Sequence, residues 1–206
     1  MTLRVLGVDP GLTRCGVGIV EVAANRVPKL VSVHTIRSAA DAPLEQRLMI
    51  IGRGIEALVD EFRPDAMAIE RVFAQNNVRT VMGTAQVSGL ALRAAAERGI
   101  PVALHTPSEV KAAVTGYGSA DKKQVGAMVA RLLGLDEVPK PADAADALAL
   151  AICHAWRRNA PGASTPAGSS SLSRLSATTP TPGALTPAQR AWRDAEKSMR
   201  APRLKG

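Results

Sequence analysis

Residues 142–157 read Ala-Asp-Ala-Ala-Asp-Ala-Leu-Ala-Leu-Ala-Ile-Cys-His-Ala-Trp-Arg. Alanine and leucine are strong helix formers, and Pro139 and Pro141 lie just ahead of the segment, where they suit a helix entry. At 3.6 residues per turn the apolar side chains fall on most sides of the helix. A helix of that kind has to be covered on most sides, so the rest of the chain must wrap it. Two acids interrupt the pattern. Asp143 and Asp146 stand at i and i+3, about 60° apart on one face. The helix dipole accounts for an acid in the first turn, Asp143. It accounts less well for Asp146, which sits among Ala144, Ala145, Ala147 and Leu148.

The preceding chain supplies strands and helices in alternation. Arg4–Asp9 and Cys15–Val22 are β-rich runs joined by a tight Pro-Gly turn, and Lys29–Ile36 continues the meander. Leu44, Leu48, Ile51, Ile55 and Leu58 recur at helical spacing within Pro43–Phe62. Ala66–Glu70 reads as a short buried strand, Val78–Arg98 as a long helix closed by Gly99, and Val102–His105 as a fifth strand. Helices are expected at Ser108–Val114, Lys122–Leu133 and Ala142–Arg157. Three meandering strands followed by β-α-β-α units predict an α/β fold with a mixed sheet flanked by helices.

That fold is expected to occupy residues 1–158. From 159 to 206 Ser, Thr, Pro, Ala and Gly dominate, and such a stretch buries too little apolar area to offset its ordering entropy. It reads as a disordered tail, with a short helix about Pro187–Arg200 as its one ordered prospect. The tail also holds most of the charge. The whole chain is +8, the tail carries seven Lys/Arg against two acids, and the first 158 residues are left at +3. A polyanionic partner is therefore only weakly indicated by charge. No run of about 18 apolar residues predicts a membrane span, and the N-terminus lacks a signal-peptide pattern. Cys15 and Cys153, too few for a disulfide framework, read as buried thiols of a cytoplasmic protein.

Two further acids end apolar strands. Asp9 follows Val5-Leu6-Gly7-Val8, and Glu70 follows Ala66-Met67-Ala68-Ile69. A carboxylate at the end of a central strand is desolvated unless it is paired or binds a cation. Either acid alone could equally cap a turn or face water, but two from one sheet favour a shared site. Carboxylate-only ligation selects Mg²⁺ or Mn²⁺ over zinc. His154 lies about 16 Å along the helix from Asp143, too far to share an ion, and His34 and His105 have no evident partner in the sequence. Two hard cations between carboxylates suit in-line phosphoryl displacement, which points to a metal-dependent nuclease.

Three blocks carry a family resemblance: Gly7-Val8-Asp9-Pro10-Gly11 with Gly16, Ile69-Glu70-Arg71-Val72-Phe73, and Ala142-Asp143-Ala144-Ala145-Asp146-Ala147-Leu148-Ala149. In order and spacing they resemble the motifs of the RuvC Holliday-junction resolvases, over roughly residues 3–157. The resemblance implies an RNase H-like five-stranded sheet, with Asp9, Glu70, Asp143 and Asp146 as a catalytic tetrad binding Mg²⁺, two ions per site. It implies a homodimer that nicks two opposed strands of a four-way junction symmetrically. The ends left are 5′-phosphate and 3′-hydroxyl, and the setting is homologous recombination and DNA repair. It also implies work with the RuvA–RuvB branch-migration complex.

By the same resemblance Phe73 contacts DNA at the junction, and Lys111 and Lys122 lie near the scissile phosphate. Beside Gln75-Asn76-Asn77 an aromatic is poorly placed for a core, and stacking on an unpaired base would contribute ~1–3 kcal/mol. Lys123 is either a further DNA contact or an ordinary solvated neighbour. The helix Val78–Arg98, rich in Gly83, Ala85, Ser88, Gly89, Ala91 and Ala94, is the expected dimer element. Two rivals stand beside the nuclease: a non-catalytic junction-binding scaffold, and an actin- or sugar-kinase-like ATPase that also uses an Asp-x-Gly turn.

Overall fold

The structure, a computed structural model, describes residues 2–72 and 78–158; the side chains of Val78 and Arg79 are also outside the description. Phe73 and the whole tail thus lie outside the described residues. Ten elements follow in chain order: β1 (Leu3–Asp9), β2 (Arg14–Val22), β3 (Pro28–Arg37), α1 (Leu44–Phe62), β4 (Ala66–Glu70), α2 (Val78–Glu97), β5 (Val102–His105), α3 (Pro107–Thr115), α4 (Lys122–Leu133) and α5 (Ala142–Arg158). They match the sequence expectation in type and order, with ends moved by a residue or two.

The sheet runs β3-β2-β1-β4-β5. β1, β2 and β3 form the antiparallel meander, whereas β4 lies parallel to β1 and β5 parallel to β4. α1 and the chain reversal it makes are what allow the parallel return, since parallel neighbours need a crossover. Side chains alternate between two cores. Leu6, Val8, Val17, Ile19, Met67 and Ile69 face α1 and α2. Val5, Val20, Val22 and Ala68 face α3, α4 and above all α5, whose Leu148, Leu150 and Ile152 are fully buried.

Three glycines explain how α5 seats so deeply. A Cβ on Gly7 would collide with the Ala147 carbonyl, one on Gly16 with the Asp143 carbonyl, and one on Gly18 would lie 2.8 Å from the Leu148 nitrogen. The helix backbone therefore rests directly on β1 and β2. Gly7→Ala has no flexible side chain to push aside, so the helix itself must lift. A loss of about 1–3 kcal/mol is expected, the usual cost of overpacking, and urea unfolding of the variant at unchanged m-value is the check; wild-type stability would contradict this seating.

Small residues on α2 divide into two groups. Ala91 and Ala94 are fully buried in the protein's own core and Ser88 is nearly so, but Ala85 and Gly89 are exposed, and nothing approaches Gly89 within 4 Å. Met82 and Leu92, 54% and 40% exposed, flank them on the outward stripe. Both cysteines are buried free thiols, pushed up to about 12 for Cys15 and about 11 for Cys153 chiefly by burial. Among the described residues no helix is long and apolar enough to cross a membrane.

Candidate active site

The parallel pairing of β1 with β4 ends at Val8 opposite Ile69, so Asp9 and Glu70 project one residue beyond, side by side at the same edge of the sheet. Alternation sets their direction. Gly7 and Ala68, two residues earlier, face α5, so Asp9 and Glu70 do as well. α5 enters over that edge with Asp143 and Asp146 in its first two turns. Gly16 fixes its height, because the Asp143 backbone occupies the space a side chain would take. The four acids that the sequence singles out thus share one site.

Their electrostatics follow from crowding. Asp9 is raised from 3.8 to about 7, first by burial and then by Glu70, Asp146 and Asp143, with Lys122 opposing. Glu70 is raised by burial and then by Asp146, while Lys122 and Lys111 pull it down. The acids of α5 are turned to cations at the rim. Lys122 Nζ donates to Asp146 Oδ2 at 3.0 Å, and that bond is the main reason the lysine is raised. Arg14 Nε lies 2.9 Å from Asp143 Oδ2. The same oxygen is buried without a well-directed hydrogen bond, so Arg14 answers its charge and not its lone pairs.

Among the described residues no three metal-ligating side chains form a closed cluster. Asp146 is paired with Lys122 and Asp143 with Arg14 instead. The donor set nevertheless fits a hard divalent cation. It consists of carboxylate oxygens, one of them a buried acceptor lacking a directed donor and another held partly protonated near neutrality by burial and by its acidic neighbours. A cation would relieve both.

Two hollows flank the Asp9–Glu70 pair and share Pro107. One, about 290 Å³, is lined by Lys111, Lys122 and Asp146 among others. The other, about 360 Å³, runs past Pro10, Arg71, Thr80 and Thr84. Capping boxes place the lysines. Thr106 accepts from the Glu109 backbone and starts α3, and Asp121 accepts from the Gln124 backbone and starts α4, leaving Lys122 as its first residue. Lys123 is exposed and lines neither hollow.

Two features escaped the sequence. Arg14 is one, hidden among many arginines. The other is a pair of histidines: His105, the register partner of Glu70, lies with its Nε2 3.2 Å from His154 Nδ1 on α5. Burial lowers both rings, His154 to about 4, so the pair is neutral and ties the Glu70 edge of the sheet to the helix carrying Asp143 and Asp146. His34, also without an evident partner in the sequence, bonds Ser32 at 2.6 Å.

Comparison with known proteins places this architecture. The family model described as crossover junction endodeoxyribonuclease RuvC matches residues 5–154. A crossover junction endodeoxyribonuclease RuvC of Leifsonia xyli subsp. xyli is 66% identical over 199 residues, covering 96% of this chain and 94% of its own length. The one from Streptomyces avermitilis is 69% identical over 155 residues, covering 75% and 88%. Among solved structures, Thermus thermophilus RuvC in complex with a Holliday junction substrate superposes with a TM-score of 0.73 at 34% identity, covering 76% of this chain and 95% of that one. The mixed sheet and its two helical layers are those of the RNase H-like fold, and the chain belongs to the RuvC family of crossover junction endodeoxyribonucleases.

Proposed function

We propose that Asp9, Glu70, Asp143 and Asp146 are the catalytic carboxylates of this chain and that they hold Mg²⁺, with Mn²⁺ as a substitute and two ions per site. The carrying observation is their convergence from β1, β4 and α5 on one edge, where burial first and then the neighbouring carboxylates raise Asp9 to about 7. When bound, the metal supplies an activated water and a positive charge for the leaving oxygen of an in-line displacement. The chain's own residues set up that displacement. The carboxylates fix where positive charge accumulates. Lys122 and Lys111, on the hollow beside Asp146, offer point charges to the oxygens of the scissile phosphate. Lys122 is bonded to Asp146 at 3.0 Å, so it is held at the site before DNA arrives. Phe73 and Lys123 are proposed as outer DNA contacts, Phe73 by stacking on an unpaired base.

The substrate is a four-way DNA junction, cut by paired symmetric nicks that leave 5′-phosphate and 3′-hydroxyl ends. Two opposed cuts call for two sites related by a two-fold axis, hence a homodimer. The outward stripe Met82, Ala85, Gly89 and Leu92 of α2 suits that contact, because apolar and small residues together permit close helix approach. The RuvA–RuvB complex is the proposed partner in branch migration, and the cytoplasm the proposed location.

A mobile synthetic four-way junction incubated with the protein and Mg²⁺ is the test. Expected are two nicks at symmetry-related positions on strands of like polarity, with ligatable ends, and no reaction in EDTA. Tight binding without nicks over a range of junction sequences would replace the nuclease by a scaffold.

A further inference from the structure

We propose that Arg14 and Arg37 form a second backbone-phosphate clamp on the β2–β3 side of the site, with Arg14 held by Asp143 until metal and DNA take over both partners. This rests on the junction-nuclease reading above.

The two arginines are register partners in the antiparallel β2–β3 pair, so their side chains are direct neighbours on one sheet face. Alternation puts that face under α5, since Gly16 and Gly18 on the same strand are the residues the helix rests on. Like charges directly opposite each other destabilise a sheet, and here only one of the two is answered. Arg14 meets Asp143. Arg37 is exposed and has no hydrogen bond or ion pair among the described residues. Such a pair at the rim of a phosphodiester site is complementary to a polyanion passing over it.

The contact between Arg14 and Asp143 is built for exchange. It is close, at 2.9 Å, but it is not a directed hydrogen bond, and the arginine side chain is 55% exposed. The backbone beneath is fixed. Ser38 donates its N–H to the Thr13 carbonyl at 3.1 Å and its hydroxyl to the Leu12 carbonyl at 2.6 Å. Arg47 Nη2 donates to Thr13 Oγ1 at 2.7 Å. Two exposed guanidiniums therefore stand at paired strand ends that are hydrogen-bonded through the adjoining Thr13 and Ser38, and a planar guanidinium suits bidentate phosphate binding. Lys111 and Lys122, on α3 and α4, line the hollow of Asp9, Glu70 and Asp146, which neither arginine lines. A DNA strand crossing Asp9 and Glu70 would then meet cations on both sides.

Counterion release gives a direct readout. With the full chain carrying Glu70→Gln as the uncut parent, junction affinity is measured across a salt series in Mg²⁺. Removing one cation from a duplex phosphate reduces the slope of log K against log salt by about 0.9. Each substitution removes two cations from the two-fold complex, so Arg37→Gln is expected to flatten it by about 1.8 and Arg14→Gln with Arg37→Gln by about 3.6, while Arg37→Lys keeps most of the slope. In DNA-free calorimetry with Glu70 intact, Arg14→Gln is expected to tighten Mg²⁺ binding about two- to fivefold, the worth of an exposed ion pair. Circular dichroism establishes that each variant is folded. A parent slope retained by both arginine variants would overturn the clamp, and unchanged Mg²⁺ affinity would overturn the exchange. Failure of the parent to bind any junction would instead remove the nuclease reading, and the clamp with it.

Discussion

Glu70→Gln is expected to leave junction binding near the wild-type level and to cut the cleavage rate about a thousandfold or more. The side chains match in shape, so the β4 edge and its parallel pairing to β1 and β5 should persist. What the substitution removes is a formal charge. Glu70 sits beside Asp9 and Asp146 with Lys111 and Lys122 within electrostatic reach, and a neutral amide offers a divalent cation a far weaker ligand. Metal-assisted phosphoryl transfer draws several kcal/mol of transition-state stabilisation from charge placed this way, and about 1.4 kcal/mol is a factor of ten. Binding draws on phosphate contacts elsewhere and sheds one negative charge from the site, so it should hold or tighten. Nicked product on denaturing gels, with junction affinity measured alongside, separates the two. Cleavage within tenfold of wild type would take Glu70 out of the metal-binding set.

Much of this site was legible because acids are conspicuous where apolar residues are expected. Asp143 and Asp146 interrupt a helix whose other positions are almost all apolar, and Asp9 and Glu70 each end a short apolar run. Periodicity gave the elements, yet it carried no information on which strands are neighbours. That β4 lies beside β1, which brings Asp9 next to Glu70, depends on a crossover whose partner only the packed fold selects. The close seating of α5 depends on Gly7, Gly16 and Gly18, and in the sequence these look like ordinary turn or strand glycines. Arg14 was illegible for a different reason. An ion pair with Asp143, far along the chain, has no local pattern, and arginine is common throughout the sequence. The His105–His154 bond is equally non-local. Phe73 carries a sequence argument alone, since it lies outside the described residues.

The placement of cations shows how the fold tolerates so concentrated a site. Lys122 and Arg14 each take one acid of α5, which leaves Asp9, at the centre of the sheet and facing three carboxylates, as the group least compensated. Function and stability therefore oppose each other most strongly at that residue.

Asp9→Asn is accordingly expected to stabilise the metal-free protein while abolishing cleavage. Asp9 is raised to about 7 in the fold from 3.8. The folded state thus holds this proton more tightly than the unfolded chain, and ionising the group costs folding free energy as pH rises from about 4 through 7. With about 1.4 kcal/mol per pKa unit, the cost above that window is on the order of 4 kcal/mol. Asparagine never ionises, so its advantage should be largest at about pH 7.5 and nearly absent at about pH 4. Other groups shape the absolute profile. Glu70, also raised, acts in the same sense as Asp9, whereas His154, lowered to about 4, weakens the fold as pH falls from 6.5. The difference between variant and wild type cancels their contributions to first order and isolates Asp9. Urea unfolding in EDTA at the two pH values supplies it. Adding Mg²⁺ at the higher pH should then stabilise the wild type more than Asp9→Asn, because a bound cation relieves the same repulsion that the substitution removes. Equal stability of the two metal-free proteins at that pH would mean that Asp9 is not held buried among unneutralised charges, and the burial and crowding that support the proposed cation site would have to be abandoned.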